Sequence, residues 1–324
     1  MSRLTLFHVG FLFLILPFAT TAKAQKEAET FNVDSTLYEY YQRCQEYLLD
    51  PIVLNMSDTL FRMAGERHDE RMQAVAIATQ LDYYYFQGTH EDSVIYYTNK
   101  VKEFAKATHQ PKYYYFAWAN RLITYYLKTS RTNIALYEVQ NMLKEAQEED
   151  DKTGLSRCYN IMSQIYTIKR FDSMAFEWRL KEIELTEKYK IENYNISQTY
   201  AQIANYYINQ KKQKEALAAV EKAIATANSS TQQISAKLEF VNYYSKFGDF
   251  QAAEKLLKEC QAAFEQDKRL ESIKKRLYNI ECLYYQQTKQ YQKALEAAKM
   301  QEKEERRLSE SILSSSHYRT QGEI

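Results

Sequence analysis

Histidines at ligand spacing, nucleophiles beside bases and glycine-rich loops are where chemistry would first show, and in this 324-residue chain none of them assembles. His68, His90, His109 and His317 lie far apart, none with a His or Cys partner at the spacing a metal needs. His8 falls in an apolar N-terminal stretch. The six glycines stand singly, so there is no loop to cradle a phosphate. The acidic run Glu148-Glu149-Asp150-Asp151 reads as a solvated tip between helices. The residues therefore point away from an enzyme, with no metal and no cofactor expected. What remains is surface, and the elements that would shape it.

The elements announce themselves through tyrosine. Seven tyrosines recur at intervals of 37 to 41 residues, each nine residues before a buried-type residue that opens a second helical stretch. The pairs are Tyr47/Met56, Tyr85/Val94, Tyr126/Ala135, Tyr166/Ala175, Tyr207/Ala216, Tyr244/Ala253 and Tyr285/Ala294. A period of this length without a strand signal means one helical hairpin stacked on copies of itself. Only six glycines and three prolines punctuate the chain, far too few for the turns of a strand fold. The expected fold class is all-α, an α-solenoid of about seven antiparallel hairpins.

Before the repeats, residues 1–24 read as a signal peptide. Arg3 precedes an apolar stretch from Leu4 to Phe18, and Ala22-Lys23-Ala24 offers a cleavage site after Ala24. The stretch is short and broken by Pro17, so removal is favoured over spanning, and no membrane span is expected after it. A periplasmic or secreted protein follows. The whole chain carries +1; without Arg3 and Lys23, 41 basic residues face 42 acidic ones. Such balance gives no electrostatic reason to bind nucleic acid.

The clearest unit has a first helix reading Tyr200-x2-Ile203-Ala204-x2-Tyr207 and a second reading Ala216-x3-Val220-x2-Ala223. It resembles the tetratricopeptide repeat, with an aromatic, a small residue and a tyrosine on one helix and two small residues around an apolar one on the next. Phe240, Val241 and Tyr244 repeat the first-helix spacing, followed by Ala253, Leu257 and Cys260; Tyr40, Cys44 and Tyr47 do so at the start, followed by Met56, Leu60 and Met63. The match extends loosely over residues 25–310. The chain departs from the family in its period, above the usual ~34 residues, so its helices are longer or its links looser. Asp82 replaces a small residue, and Arg179 and Glu182 occupy apolar slots, which suggests a bent or irregular middle. Near the end, Tyr318-x3-Gly322 repeats first-helix slots, so residues 311–324 read as the start of a truncated further repeat.

Two smaller patterns fit this frame. Cys44, Cys260 and Cys282 occupy small-residue slots and Cys158 a core-facing stretch, so buried thiols are expected, with Cys260 and Cys282 the one pair on successive hairpins. Asp34-Ser35, Asp58-Thr59, Asp92-Ser93 and Asp172-Ser173 read as helix caps, although the same dipeptides resemble O-glycosylation acceptors of exported Bacteroidota proteins.

The resemblance also implies a concave groove, lined three residues before and one residue after each small slot. Those positions are Tyr41 and Gln45, Thr79 and Tyr83, Asn120 and Thr124, Asn160 and Gln164, Ala201 and Asn205, Leu238 and Asn242, and Asn279 and Leu283. None is charged, and the amides could meet a peptide backbone or sugar hydroxyls. The partner-binding candidates are Tyr41, Gln45, Tyr83, Asn120, Thr124, Asn160, Gln164, Asn205, Asn242 and Asn279. The resemblance implies a protein- or peptide-binding scaffold, similar in architecture to the exported sensory half of Bacteroidota signalling regulators; the alternative is a carbohydrate-binding solenoid or an envelope assembly scaffold.

Overall fold

The structure, a computed structural model, describes residues 33–320 other than 89, 192 and 194, with side chains as far as Arg307. Among the described residues there is no strand. The chain forms two compact units, divided after Met142. In the first unit α1 (Ser35–Glu46) pairs with α2 (Ile52–Glu66), and α3 (Glu70–Gln87) with α4 (Glu91–Ala107). A third first helix runs through α5 (Pro111–Ala117), a π-helical segment (Trp118–Ile123) and α6 (Thr124–Lys128), before α7 (Thr132–Glu148), which carries the unit boundary. The second unit pairs α8 (Lys152–Ile168) with α9 (Asp172–Tyr189), α10 (Ile196–Asn209) with α11 (Gln213–Ala225) and α12 (Ser230–Phe247) with α13 (Phe250–Gln266). A 3₁₀ turn (Lys268–Ile273) then leads into α14 (Lys274–Gln287), which pairs with α15 (Tyr291–Thr320). That last helix runs unbroken through the stretch where the sequence suggests a further repeat, and Gly322 lies outside the described residues, as does the leader.

The long period comes from long helices, since α3, α9 and α12 each have 18 residues and the links between helices are a few residues. The links close without much glycine. Gly88 and Gly248 take the left-handed conformation at helix ends, but so do His68, His109, Ser130, Asp150, Arg170, Lys190, Lys211 and Lys289. Opposite ends are held by side chains: Asp34, Asp69, Asp151, Ser229 and Asp249 each accept from the backbone N–H three residues on. Of the Asp-Ser and Asp-Thr pairs, therefore, only Asp34 caps. Asp92 and Asp172 lie within the first turns of α4 and α9, and Asp58 accepts from Gln80 Nε2 at 2.7 Å.

Second helices bury small or apolar residues along one stripe, as Val94, Val101 and Ala105 do on α4 and Ala253, Leu257 and Cys260 on α13. In the first hairpin that stripe is Val53, Ser57, Leu60 and Ala64, while Met56 is half-buried and Tyr47 is 47% exposed. The buried pair nine residues apart is thus Cys44 and Val53, three residues ahead of Tyr47/Met56. The aromatic was the wrong marker because the narrow gap there takes a thiol. Tyr85 and Tyr126 are buried, but in α12 and α14 the ring before the register tyrosine is the more buried one: Tyr243 and Tyr284 are each 5% exposed and Tyr244 and Tyr285 half-buried.

First helices also touch one another, α1 on α3, α3 on α5 and its π-helical continuation, α10 on α12, and α12 on α14. This contact, together with the hairpin pairing, is what a stack of tetratricopeptide-like repeats requires. Cys44, Cys158 and Cys260 are buried free thiols; Cys282 is half-buried and accepts from Gln286 Nε2, unbridged to Cys260. Each unit holds one of the two tryptophans. Trp178 lies 5.5 Å from the Tyr159 ring with the Lys181 ammonium 4.1 Å above it.

Candidate functional site

In the first unit, contact between first helices places charge where the repeat pattern wants a small residue. Asp82 on α3 receives one edge of the Arg121 guanidinium, Nε donating to one carboxylate oxygen and Nη2 to the other at 3.1 Å. The pair is little exposed, and a bidentate fork of this kind is the strong form of an ion pair. Arg121 also donates to the Asn120 carbonyl at 3.1 Å and lies 5.0 Å from the centre of the Tyr85 ring and 4.8 Å from that of Phe116. Burial, and next the Asp82 charge, hold the Tyr41 phenol above its ordinary pKa. Tyr41, Asp82 and Arg121 thus bring three successive first helices to one spot.

In the second unit the charges lie deeper. Glu182, 1% exposed, accepts from Asn160 Nδ2 at 3.2 Å, Asn193 Nδ2 at 2.9 Å and Thr199 Oγ1 at 3.3 Å. Arg179, 8% exposed, donates to Gln202 Oε1 at 2.8 Å and Thr167 Oγ1 at 2.7 Å. The two apolar slots filled by charge therefore form a hydrogen-bonded core inside an unbroken α9, with no irregularity in that helix. Further on, Glu239 pairs with Arg276 at 2.7 Å and accepts from Asn242 Nδ2 at 2.9 Å.

The expected lining residues consequently divide. Gln164, Asn205 and Asn279 are exposed, and Asn205 accepts from its own helix neighbour Asn209 at 3.0 Å. Tyr41, Gln45, Tyr83 and Asn120 are half-buried, Tyr83 with its ring 5.0 Å from Tyr84. Thr124 donates to the Ala119 carbonyl, five residues back on the π-helical segment, at 2.9 Å. Asn160 and Asn242 hold buried glutamates, and Gln164 Nε2 donates to Asn160 Oδ1 at 2.6 Å. Thr79, Ala201 and Leu238 are at most 2% exposed and line nothing, because neighbouring helices cover that side of their own.

Asp82, Arg121, Glu239 and Arg276 were absent from the sequence-derived lining. Their signal was present: the partners lie 39 and 37 residues apart, one period, with opposite charge. Among the described residues no cluster of His, Cys, Asp and Glu could hold a metal, and no helix is long and apolar enough to cross a membrane.

No family model matches the chain, and no curated protein matches it in sequence. Solved structures do resemble it. The apo form of RapI is 13% identical with a TM-score of 0.56, covering 85% of this chain and 99% of that one. A Rap protein complexed with Competence and Sporulation Factor gives the same identity and score over 85% of this chain and 76% of its own. A signal transduction ATPase from Pyrococcus horikoshii, which has a tetratricopeptide repeat sensor, is 15% identical with a TM-score of 0.54, over 86% of this chain and 43% of that one. At these identities the likeness speaks for the fold. With hairpins, first-helix contacts and the folds of these solved structures in agreement, the chain is a tetratricopeptide-like helical-repeat protein.

Proposed function

We propose that this chain is a non-catalytic scaffold that binds a protein or peptide along its first helices. The observation that carries this reading is the second unit's run of polar side chains on successive first helices: Gln164 and Asn205, then Asn242 with the Glu239–Arg276 pair, then Asn279. Exposed amides offer donors and acceptors to a peptide backbone, and the paired charges beside them add specificity with little net field. The Rap relative bound to Competence and Sporulation Factor supports this use of the fold. The N-terminal segment supports export to the periplasm, and the sensor repeat of the Pyrococcus protein supports a role as the input part of a signalling protein.

A photo-crosslinking residue placed at Gln164, Asn205 or Asn279 in living cells tests the surface. The reading expects a discrete protein adduct from these sites and none from Lys214 or Lys255, exposed on second helices. Equal labelling from both sets, or none from the first helices, would reject it. An alkaline phosphatase fusion after residue 40 tests export separately.

A further inference from the structure

The hairpin turns of the second unit carry charge that the balance of the whole chain hides. Arg170, Lys211 and Lys289 hold one equivalent place in three of them, the left-handed residue five positions before the buried Ala175, Ala216 and Ala294. Lys212, Lys214 and Lys246 flank the turn apices, and all six bases are exposed. Among the described residues none of the six has an ion-pair partner. The acids at the same turns are Asp172, Glu215 and Asp249, of which Asp249 already caps α13. The first unit makes a contrast, since its equivalent turns carry Asp50, Glu91 and Asp92, with Ser130 at the left-handed apex and Arg131 paired with Glu91 at 2.6 Å.

These turns of the second unit share one edge. Glu239 on α12 meets Arg276 on α14 one period later, so first helices run in parallel, and the Phe176 ring stacks on Tyr206 at 4.0 Å, which brings the α8–α9 turn to the α10–α11 turn. Packed helices stand about 8–10 Å apart, close to one Debye length at physiological salt, so neighbouring turns present their charge together. The links at the other helix ends, with the acidic run Glu148 to Asp151, lie about 25 Å away along 17-residue helices. Salt screens them from this edge.

Apolar side chains stand exposed among the bases. Phe171 is 56% exposed next to Arg170, Tyr291 is 67% exposed two residues after Lys289, and Ile168 and Phe250 are exposed on the same turns as bases. An acidic polypeptide would satisfy the bases but leave rings dispersed over three turns in water. A bilayer takes them one at a time, because anionic headgroups meet the bases while each ring enters the boundary beneath.

We propose that this edge docks on a bilayer surface of anionic lipid, its bases against the headgroups and Phe171, Phe250 and Tyr291 at the edge of the acyl region. It uses the hairpin turns and not the first-helix face, so its test stands apart from the partner reading.

Sedimentation with vesicles tests it, using the chain from Gln25, which keeps every described residue and omits the apolar leader. Vesicles of phosphatidylcholine and phosphatidylglycerol in equal parts should carry the chain down, and pure phosphatidylcholine should not. Lys211→Gln, Lys212→Gln and Lys214→Gln together should weaken binding about a hundredfold, at about fivefold per base. The same charge removed from exposed positions at the other helix ends, by Lys188→Gln, Lys190→Gln and Lys268→Gln, should change it little. Phe171→Trp should add emission that moves to the blue on the mixed vesicles, as the ring leaves water. The proposal is overturned if the chain stays in solution, if it binds pure phosphatidylcholine as well, if the two triple variants weaken equally, or if the added emission does not move. Binding to polyglutamate and not to the vesicles would overturn it too, and assign the edge to an acidic polypeptide.

Discussion

Glu182 is the residue whose surroundings make the sharpest demands. Asn160 and Asn193 both donate to a carboxylate cut off from water, so each bond is worth more than a surface one. Asn160→Ala is expected to cost about 1.5–3 kcal/mol in urea unfolding, and Asn279→Ala, exposed, no more than about 0.5 kcal/mol. Burial pushes the Glu182 carboxyl above the usual carboxylate range, against the pull of its Asn193, Asn160 and Thr199 hydrogen bonds. The folded chain thus holds this proton more tightly than the unfolded chain does. Its contribution to stability is fully present below the unfolded pKa, about 4.3, and is lost as the pH rises through the folded one. The stability of wild type minus that of Glu182→Gln should therefore fall as pH rises from about 4; a flat or rising difference would contradict the shift. Thiols give a second test at this scale. Burial raises Cys44 and Cys260 to about 11 and Cys158 to about 12, so few of them are thiolate at neutral pH. A thiol reagent should modify half-buried Cys282 first and the other three only on denaturation.

Helix ends set the next scale, because eight of them rest on left-handed residues other than glycine. A side chain in that region costs roughly 1–2 kcal/mol, part of which glycine gives back through the greater freedom of the unfolded chain. Lys211→Gly or Arg170→Gly should thus raise stability by about 0.5–1 kcal/mol, and Gly248→Ala, at φ +90°, should lower it. The same economy in glycine limited what sequence could tell. Helices and their period were legible because Ala, Val and Leu stripes at 3.6-residue spacing recur hairpin after hairpin. Helix ends marked by Lys, Arg or His look like any surface. The π-helical segment, Trp118–Ile123, changes neither composition nor periodicity enough to be seen. The first hairpin's register was misplaced by three residues because Tyr47 was conspicuous and Cys44 was not. At the candidate surface the amide positions were legible, but their hydrogen bonds to Glu182 and Glu239 were not, since those depend on which neighbouring helix supplies the acid.

Across the whole molecule, helices that pack mainly on their neighbours should dominate far-ultraviolet circular dichroism and keep damage local. Hydrogen exchange in Asn160→Ala is expected to quicken through α8, α9 and α10 while α12 and α14 keep their protection. Uniform loss across the second unit would instead mean that its hairpins melt as one. The placement of the two indoles adds an optical property. With 29 tyrosines and two tryptophans in the chain, light absorbed by phenol rings has an indole in each unit to which it can pass. Trp178→Phe leaves Trp118 emitting alone, between a lysine and a glutamate; Trp118→Phe leaves Trp178, tilted against the Tyr159 ring. The folding of either unit can then be followed by its own intrinsic glow, without any dye.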